Sequence, residues 1–391
     1  MPKTNSTLNI PGFSIIKTSG NNAIIHEVRY YKKPRCIHCS SYNLRKKDRY
    51  ERKVRHESIG LRQASLQFVG YKYHCRDCGR YFRQRFAGIL PYKRSTEALR
   101  YQVYTLHCQG VSQTDLSRGY RFSPATIERY FHDCYTAKNQ ELKTRDCPQV
   151  LGIDEHSFSK KQGYATTFCD LRKHKVFDVV QGKSAGDLHD YLTSLSGREK
   201  VRVVCMDMSA TYHAIVRKYF PNAKIVTDRF HVIRLVLHHF IKTCQQIDPE
   251  SKYQRGILAC LRKNPENLTE LQQKKLENYL AKYPAIRAVY DFKQELHQLL
   301  MHKRQTQHSV RNIIPQFLNS ISQLKESGFA PMQTLGQSLD DWKEEIARMW
   351  RFTKNNGITE GFHRKMKLIQ RRAYGFKNFE NYRLRVRILC G

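Results

Sequence analysis

Apolar and polar residues alternate with a period of two in a set of short runs, and these fix the strands. Residues 150–158, 164–171 and 175–181 read as three consecutive strands, with turns at Gly163 and at 172–174. Residues 184–195 switch to helical spacing, 201–206 return to a strand, 209–220 form a second helix and 224–227 a fifth short strand. Further upstream, 14–17 and 23–31 are β-prone, and 49–56 and 66–73 alternate like paired strands. A helix is expected over 95–110. From His231 to about Trp350 the period is helical throughout, with Asn264-Pro265, Tyr283-Pro284, Ile314-Pro315 and Ala330-Pro331 as turn signals.

Three antiparallel strands followed by helix, strand, helix, strand is the order of a ribonuclease-H-like α/β core. The expected fold is such a core, a mixed five-stranded sheet with helices, interrupted by an all-helical insertion. The expected segments are a zinc ribbon at 1–90, a helix-turn-helix domain at 91–146, the first part of the core at 147–240, the insertion at 241–349 and a C-terminal helical part of the core at 350–391.

Charge changes the picture most. Lys and Arg number 69 against 34 Asp and Glu, a formal net charge of +35, and the excess runs along the whole chain. A field of that sign favours a polyanion, with nucleic acid first and a membrane surface as the competitor. No Lys-rich amphipathic helix stands alone, no apolar run approaches the ~18 residues of a membrane span, and the first residues lack a secretory profile. A cytosolic protein is the expectation, and its 12 cysteines are read as thiols rather than disulfides.

Four of those cysteines have ligand spacing. Cys36-Ile-His-Cys39 and Cys75-Arg-Asp-Cys78 each set two thiolates on one tight turn, and two such turns facing each other complete a tetrahedral zinc site. One such pair alone reads equally as a redox motif; two, with no βαβ unit around them, point to structural zinc. Gly79 suits a turn with positive φ, and Tyr81 and Phe82 are placed to pack on it. Downstream, Ser112 is expected to cap one short helix that Gly119 breaks, and Ser123-Pro124 to open another. Two short helices around a glycine turn are the helix-turn-helix pattern, with Ala125, Thr126 and Arg129 near base edges. An ordinary helical hairpin has the same pattern.

Asp154 stands inside an otherwise apolar strand, where an isolated carboxylate is costly unless a cation or a positive partner sits on it. It can also simply end the strand or pair with an Arg. A second acid, Asp207, closes the run 201–206; parallel neighbouring strands would set it beside Asp154, and a divalent cation would relieve their repulsion. Further on, Gly357-Ile-Thr-Glu360-Gly-Phe-His-Arg-Lys-Met-Lys-Leu-Ile-Gln-Arg-Arg372 has an apolar stripe of Ile358, Phe362, Met366 and Ile369. Glu360, Arg364, Lys367 and Arg371 fall opposite, either as a solvated face with Glu360 paired to Arg364 or as a metal ligand heading a phosphate-binding ridge.

These stretches together resemble the DDE transposases of bacterial insertion sequences, specifically the ISL-three family, over nearly the whole chain. The matching motifs are Gly152-Ile-Asp-Glu-His-Ser-Phe158, Asp207-Met-Ser-Ala-Thr-Tyr212, Asp228-Arg-Phe-His-Val232 and Asn356-Gly-Ile-Thr-Glu360-Gly-Phe. Arg371-Arg-Ala-Tyr-Gly-Phe376 and Phe379-Glu-Asn-Tyr-Arg-Leu-Arg385 extend the likeness. The resemblance implies that Asp154, Asp207 and Glu360 are the catalytic triad and hold two magnesium ions, with manganese as a substitute. It implies accessory roles for Asp228, as helix cap, and His231, near a phosphate or leaving oxygen. Position 363 is His where Asn would be as natural. The implied activity is binding of terminal inverted repeats, then metal-dependent nicking and strand transfer into target DNA by a homodimer or higher multimer. The competing expectation is a catalytically silent zinc and helix-turn-helix regulator.

Overall fold

A long hairpin fills the gap between the two cysteine knuckles. In the computed structural model, which describes residues 8–143, 146–159, 163–303, 305–352 and 357–391, β1 (Phe13–Ser19) and β2 (Ala23–Tyr30) precede β3 (Leu44–Ile59) and β4 (Arg62–Cys75). β3 and β4 pair antiparallel from Leu44↔Cys75 at the root to Ile59↔Arg62 at the tip. Only Gly60, at φ 60°, and the fully exposed Leu61 make the turn. The chain therefore runs out and back, which returns the second knuckle to the first. β2 lies parallel to β4 on the other side, and β5 (Tyr81–Arg83) adds to β4 near the knuckles.

This sheet belongs to the first of two units, Met1–Leu142 with Ile369–Gly375. Phe13, Tyr30, Phe68 and Phe86 pack together with centroids 4.8 to 6.0 Å apart, three of the pairs edge to face, and Val28, Val54 and Leu66 complete that core. Three helices follow: α1 (Glu97–Cys108), α2 (Gln113–Tyr120) and α3 (Pro124–Lys143). Thr96 caps α1, accepting from the Leu99 amide, and its hydroxyl also meets buried His56 of β3 at 3.0 Å. Ser112 caps α2 as expected. Gly119, however, does not break that helix: it lies within α2, and Arg121, left-handed at φ 52°, stops it. Nor is α3 short, since it runs 20 residues with Ile127, Phe131 and Tyr135 buried.

The second unit is Lys143–Leu368 with Phe376–Gly391. Its strands are β6 (Val150–Ser159), β7 (Gly163–Asp170), β8 (Lys175–Gln181), β9 (Val203–Met206) and β10 (Lys224–Thr227). They line up as β10-β9-β6-β7-β8, with β6, β7 and β8 antiparallel and β6, β9 and β10 parallel. α4 (Ala185–Ser194) and α5 (Ala210–Tyr219) bury Leu188, Leu192, Tyr212, Ile215 and Val216 against Leu151, Ile153 and Val204. α6 (Arg229–Ile247) starts at the end of β10 and leads into α7 (Arg255–Arg262), α8 (Glu270–Lys282), α9 (Pro284–Met301), α10 (Gln307–Glu326), α11 (Ala330–Asp341) and α12 (Lys343–Arg351). Their core closes on fully buried Trp350, whose indole donates to the Leu299 carbonyl at 3.0 Å.

Pro284 and Pro331 sit in first turns, but Pro315 is inside α10 rather than at a break. Val310, Ile313, Phe317, Ile321 and Leu324 form one buried stripe, and that burial outweighs the backbone bond a proline removes. α13 (Gly357–Arg372) and α14 (Phe379–Cys390) finish the chain. α14 is held to β8 by Arg383, which donates to both oxygens of buried Asp178 at 2.8 and 2.9 Å. No helix among the described residues is long and apolar enough to cross a membrane.

Candidate functional site

The four knuckle thiols are gathered as their spacing implies. Cys36 and Cys78 are 3.6 Å apart, Cys39 and Cys75 3.5 Å, and all four sulfurs lie within 4.8 Å of one another. A tetrahedral zinc with bonds of ~2.3 Å separates its sulfurs by ~3.8 Å, so this donor set fits that ion with little movement. Gly79 takes φ 69°, and Phe82 packs beside Cys36, Tyr73 and Cys75; Tyr81 instead stays exposed against the His74 ring. Among the described residues no other group of three or more His, Cys, Asp or Glu is gathered this tightly.

The acids form a looser arrangement in the second unit. β6 and β9 pair in parallel through Gly152↔Cys205, which sets Asp154 and Asp207 just beyond that register on neighbouring strands. Period two puts Asp154, His156 and Phe158 on one face of β6. Asp228 follows β10 and caps α6, accepting from the Phe230 amide, and His231 approaches its other oxygen at 3.2 Å. Burial pushes the Asp154 carboxyl up to about 7 against the pull of the His231 ring, and it raises Asp207 as well. His231 is in turn raised, first by its bond to Asp228 and then by the charges of Asp154 and Asp207. One oxygen of Asp207, Oδ1, is buried without any hydrogen-bond donor. Crowded carboxylates with an unsatisfied buried oxygen fit a divalent cation, which would hold them ionised.

Glu360 is in the first turn of α13, where its carboxylate accepts from Arg364 at 3.0 Å; both side chains are exposed. That is the solvated i,i+4 pairing, and here Glu360 does not join the two aspartates in one tight group. The ridge beyond it is real: Arg364, Lys367 and Arg371 are all exposed, opposite buried Met366 and Ile369 and half-buried Phe362. Asn356 and the Ile358 side chain lie outside the described residues. On α3, Arg129 is exposed and donates to Thr126, which is half-buried, at 3.1 Å.

The spacing did not reveal how α13 is seated. Thr359 is fully buried and bonds to the Cys169 thiol of β7, while His363, four residues on, meets Thr167 at 3.1 Å. Thr167 pairs across from Asp154 in the sheet and also meets His156 Nδ1 at 3.0 Å. His156 Nε2 meets the Tyr382 hydroxyl of α14 at 2.8 Å. The free nitrogen of His363 stands 3.7 Å from Asp154 Oδ2, beyond hydrogen-bond length, while Asp154 Oδ1 accepts the Glu155 amide at 2.8 Å. Burial holds both rings neutral, lowering His363 to about 4 and His156 to about 3. The period-two position of His156 beside Asp154 was the available signal.

Comparison with known proteins gives the family of the chain. A family described as transposase matches residues 151–386, and a second, described as the zinc-finger of the transposases of IS204, IS1001, IS1096 and IS1165, matches residues 32–78. The transposase for insertion sequence element IS1001 of Bordetella parapertussis is 25% identical over 352 residues, covering 86% of this chain and 84% of that protein.

Proposed function

The chain belongs to the ISL-three family of DDE transposases, and on that premise we propose that it binds the terminal inverted repeats of an insertion sequence and cuts and joins DNA there. The observation that carries this reading is the half-buried pair Asp154, on β6, and Asp207, just past the end of the parallel neighbour β9, with an unsatisfied oxygen on Asp207. The strand order β10-β9-β6-β7-β8 supports treating the core as ribonuclease-H-like. Asp154 and Asp207 would hold divalent cations, with Glu360 joining them once it leaves Arg364. When bound, magnesium, or manganese in its place, would supply activation of the attacking hydroxyl and charge neutralisation at the leaving 3′ oxygen.

The protein's own groups do the rest. Arg364, Lys367 and Arg371 form a basic ridge that would hold the phosphates flanking the cut. His231, raised by its bond to Asp228 and by the charges of Asp154 and Asp207, would offset charge among the three aspartates. α2 and α3, read as a helix-turn-helix, would bring Thr126 and Arg129 to base edges, and a zinc-held ribbon would add phosphate contacts. The same carboxylates would serve nicking and then strand transfer, which suits a homodimer or higher multimer that joins two ends.

Labelled element ends incubated with and without magnesium test this directly. The native chain should nick the ends and transfer them to a second duplex only with the cation. Alanine at Asp154, Asp207 or Glu360 should lower cleavage by roughly 1,000-fold or more while leaving gel-shift affinity within about twofold. Native cleavage by Asp154→Ala would refute the assignment, and cleavage without joining would make the protein a nuclease. Glu360's pairing with Arg364 favours one further reading, a DNA-binding regulator with a silent core, for which binding without any nicking is the expected result.

A further inference from the structure

His363 has no place in the scheme above, yet it meets Thr167 at 3.1 Å and stands 3.7 Å from Asp154. We propose that His363 is a positioning residue, aiming the Asp154 carboxylate and setting the register of the helix that bears Glu360 through a hydrogen-bonded chain running to Tyr382. The inference rests on the reading of Asp154 as a cation ligand.

Four elements contribute: Tyr382 from α14, His156 from β6, Thr167 from β7 and His363 from α13. The ionisation of Asp154 sets the direction of the chain. Once ionised, Asp154 offers only lone pairs, so the His363 nitrogen that faces it at 3.7 Å, Nδ1, is the one that carries the ring proton. His363 Nε2 is then an acceptor, and it takes the single proton of the Thr167 hydroxyl. Thr167 must accept from His156 Nδ1, and His156 Nε2 accepts from the Tyr382 hydroxyl. Reversing any one link leaves two protons or none at another.

The geometry serves position. The Glu155 amide fixes Asp154 Oδ1 at 2.8 Å, and His363 Nδ1 flanks Oδ2 at 3.7 Å, a small shift from a hydrogen bond. Residues 359 and 363 are one helical turn apart and meet Cys169 and Thr167, two residues apart on β7. That double seat sets the rotation of α13, and Glu360 is the next residue along. Partners that orient a ligand carboxylate typically influence metal affinity or activity 10–100-fold.

Two measurements test the proposal. Histidine ¹⁵N spectra of the cation-free full-length protein, taken above the pH at which Asp154 ionises, should show His156 and His363 both protonated at Nδ1. Thr167→Val should leave His363 as a mixture of tautomers. In single-turnover nicking of prebound ends, His363→Ala should slow the reaction by roughly 10–100-fold. It should also raise the magnesium concentration at half-maximal rate, with end binding unchanged. His363→Asn, which keeps an N–H donor, should recover most of the magnesium dependence. Nε2 protonation of both rings in the native protein would overturn the chain. So would a native magnesium midpoint in His363→Ala while Asp154→Ala is inert. Native cleavage by Asp154→Ala would instead overturn the proposed function, and the spectra would still judge the chain.

Discussion

Single residues carried their meaning wherever chemistry and setting disagreed. Asp154 and Asp207 stood out because a carboxylate at the heart or end of an apolar strand is costly to bury, and the structure leaves each of them half-buried. The cap at Asp228 was legible from its place before a helix. Thr167, His156 and Tyr382 were not legible as a group, since their partners are 11 to 226 residues away and only the folded sheet brings them together. Gly119 misled because glycine was taken as the helix stop, whereas Arg121 adopts the left-handed cap. Another buried imidazole yields a pH prediction. Burial first, then His26, lowers His56 to about 4. A histidine depressed in the folded state contributes stability that is present above its ordinary 6.5 and is lost as pH falls through the folded value. The first unit should lose roughly 3 kcal/mol between pH 7 and 4 through this group. Thermal melts of His56→Gln, which keeps an amide for Thr96, should show a flatter acid limb.

Elements were read more reliably than their joints. β8 and β10 fall where the alternation put them, and β6 and β7 differ from the expected bounds by a residue. The failures are places where packing overrode a local signal: Pro315 inside α10, and α3 extended to 20 residues by its buried aromatic face. The path of α14 was invisible because the tie that fixes it, Arg383 on Asp178, spans 205 residues. Asp178 is 5% exposed, so Asp178→Ala would strand the Arg383 and Arg387 guanidinium groups against a sheet edge. A loss of roughly 3–5 kcal/mol in the second unit is expected from breaking such a pair. Urea titration should show it as a lower midpoint, with the far-ultraviolet signal of the folded baseline unchanged.

At the scale of the whole molecule, the charge of +35 gives the proposed DNA binding a salt test. If six to ten phosphates are engaged, affinity for any duplex should fall by about 10³–10⁵ between 50 and 200 mM salt. A fluorescence anisotropy series on matched and scrambled ends should give parallel slopes for the two. A salt-insensitive affinity would mean that the basic ridge and the ribbon do not touch the backbone. The same scale shows what a root-closed hairpin permits. The sulfur clasp sits where β3 and β4 begin and end, and nothing in it senses how far the two strands travel before Gly60 and Leu61 reverse them. Residues added in opposed pairs at that bend would extend the tip while the clasp stayed put, whereas residues removed there would cut into the stretch where β4 pairs with β2 and buries Ala64 and Leu66.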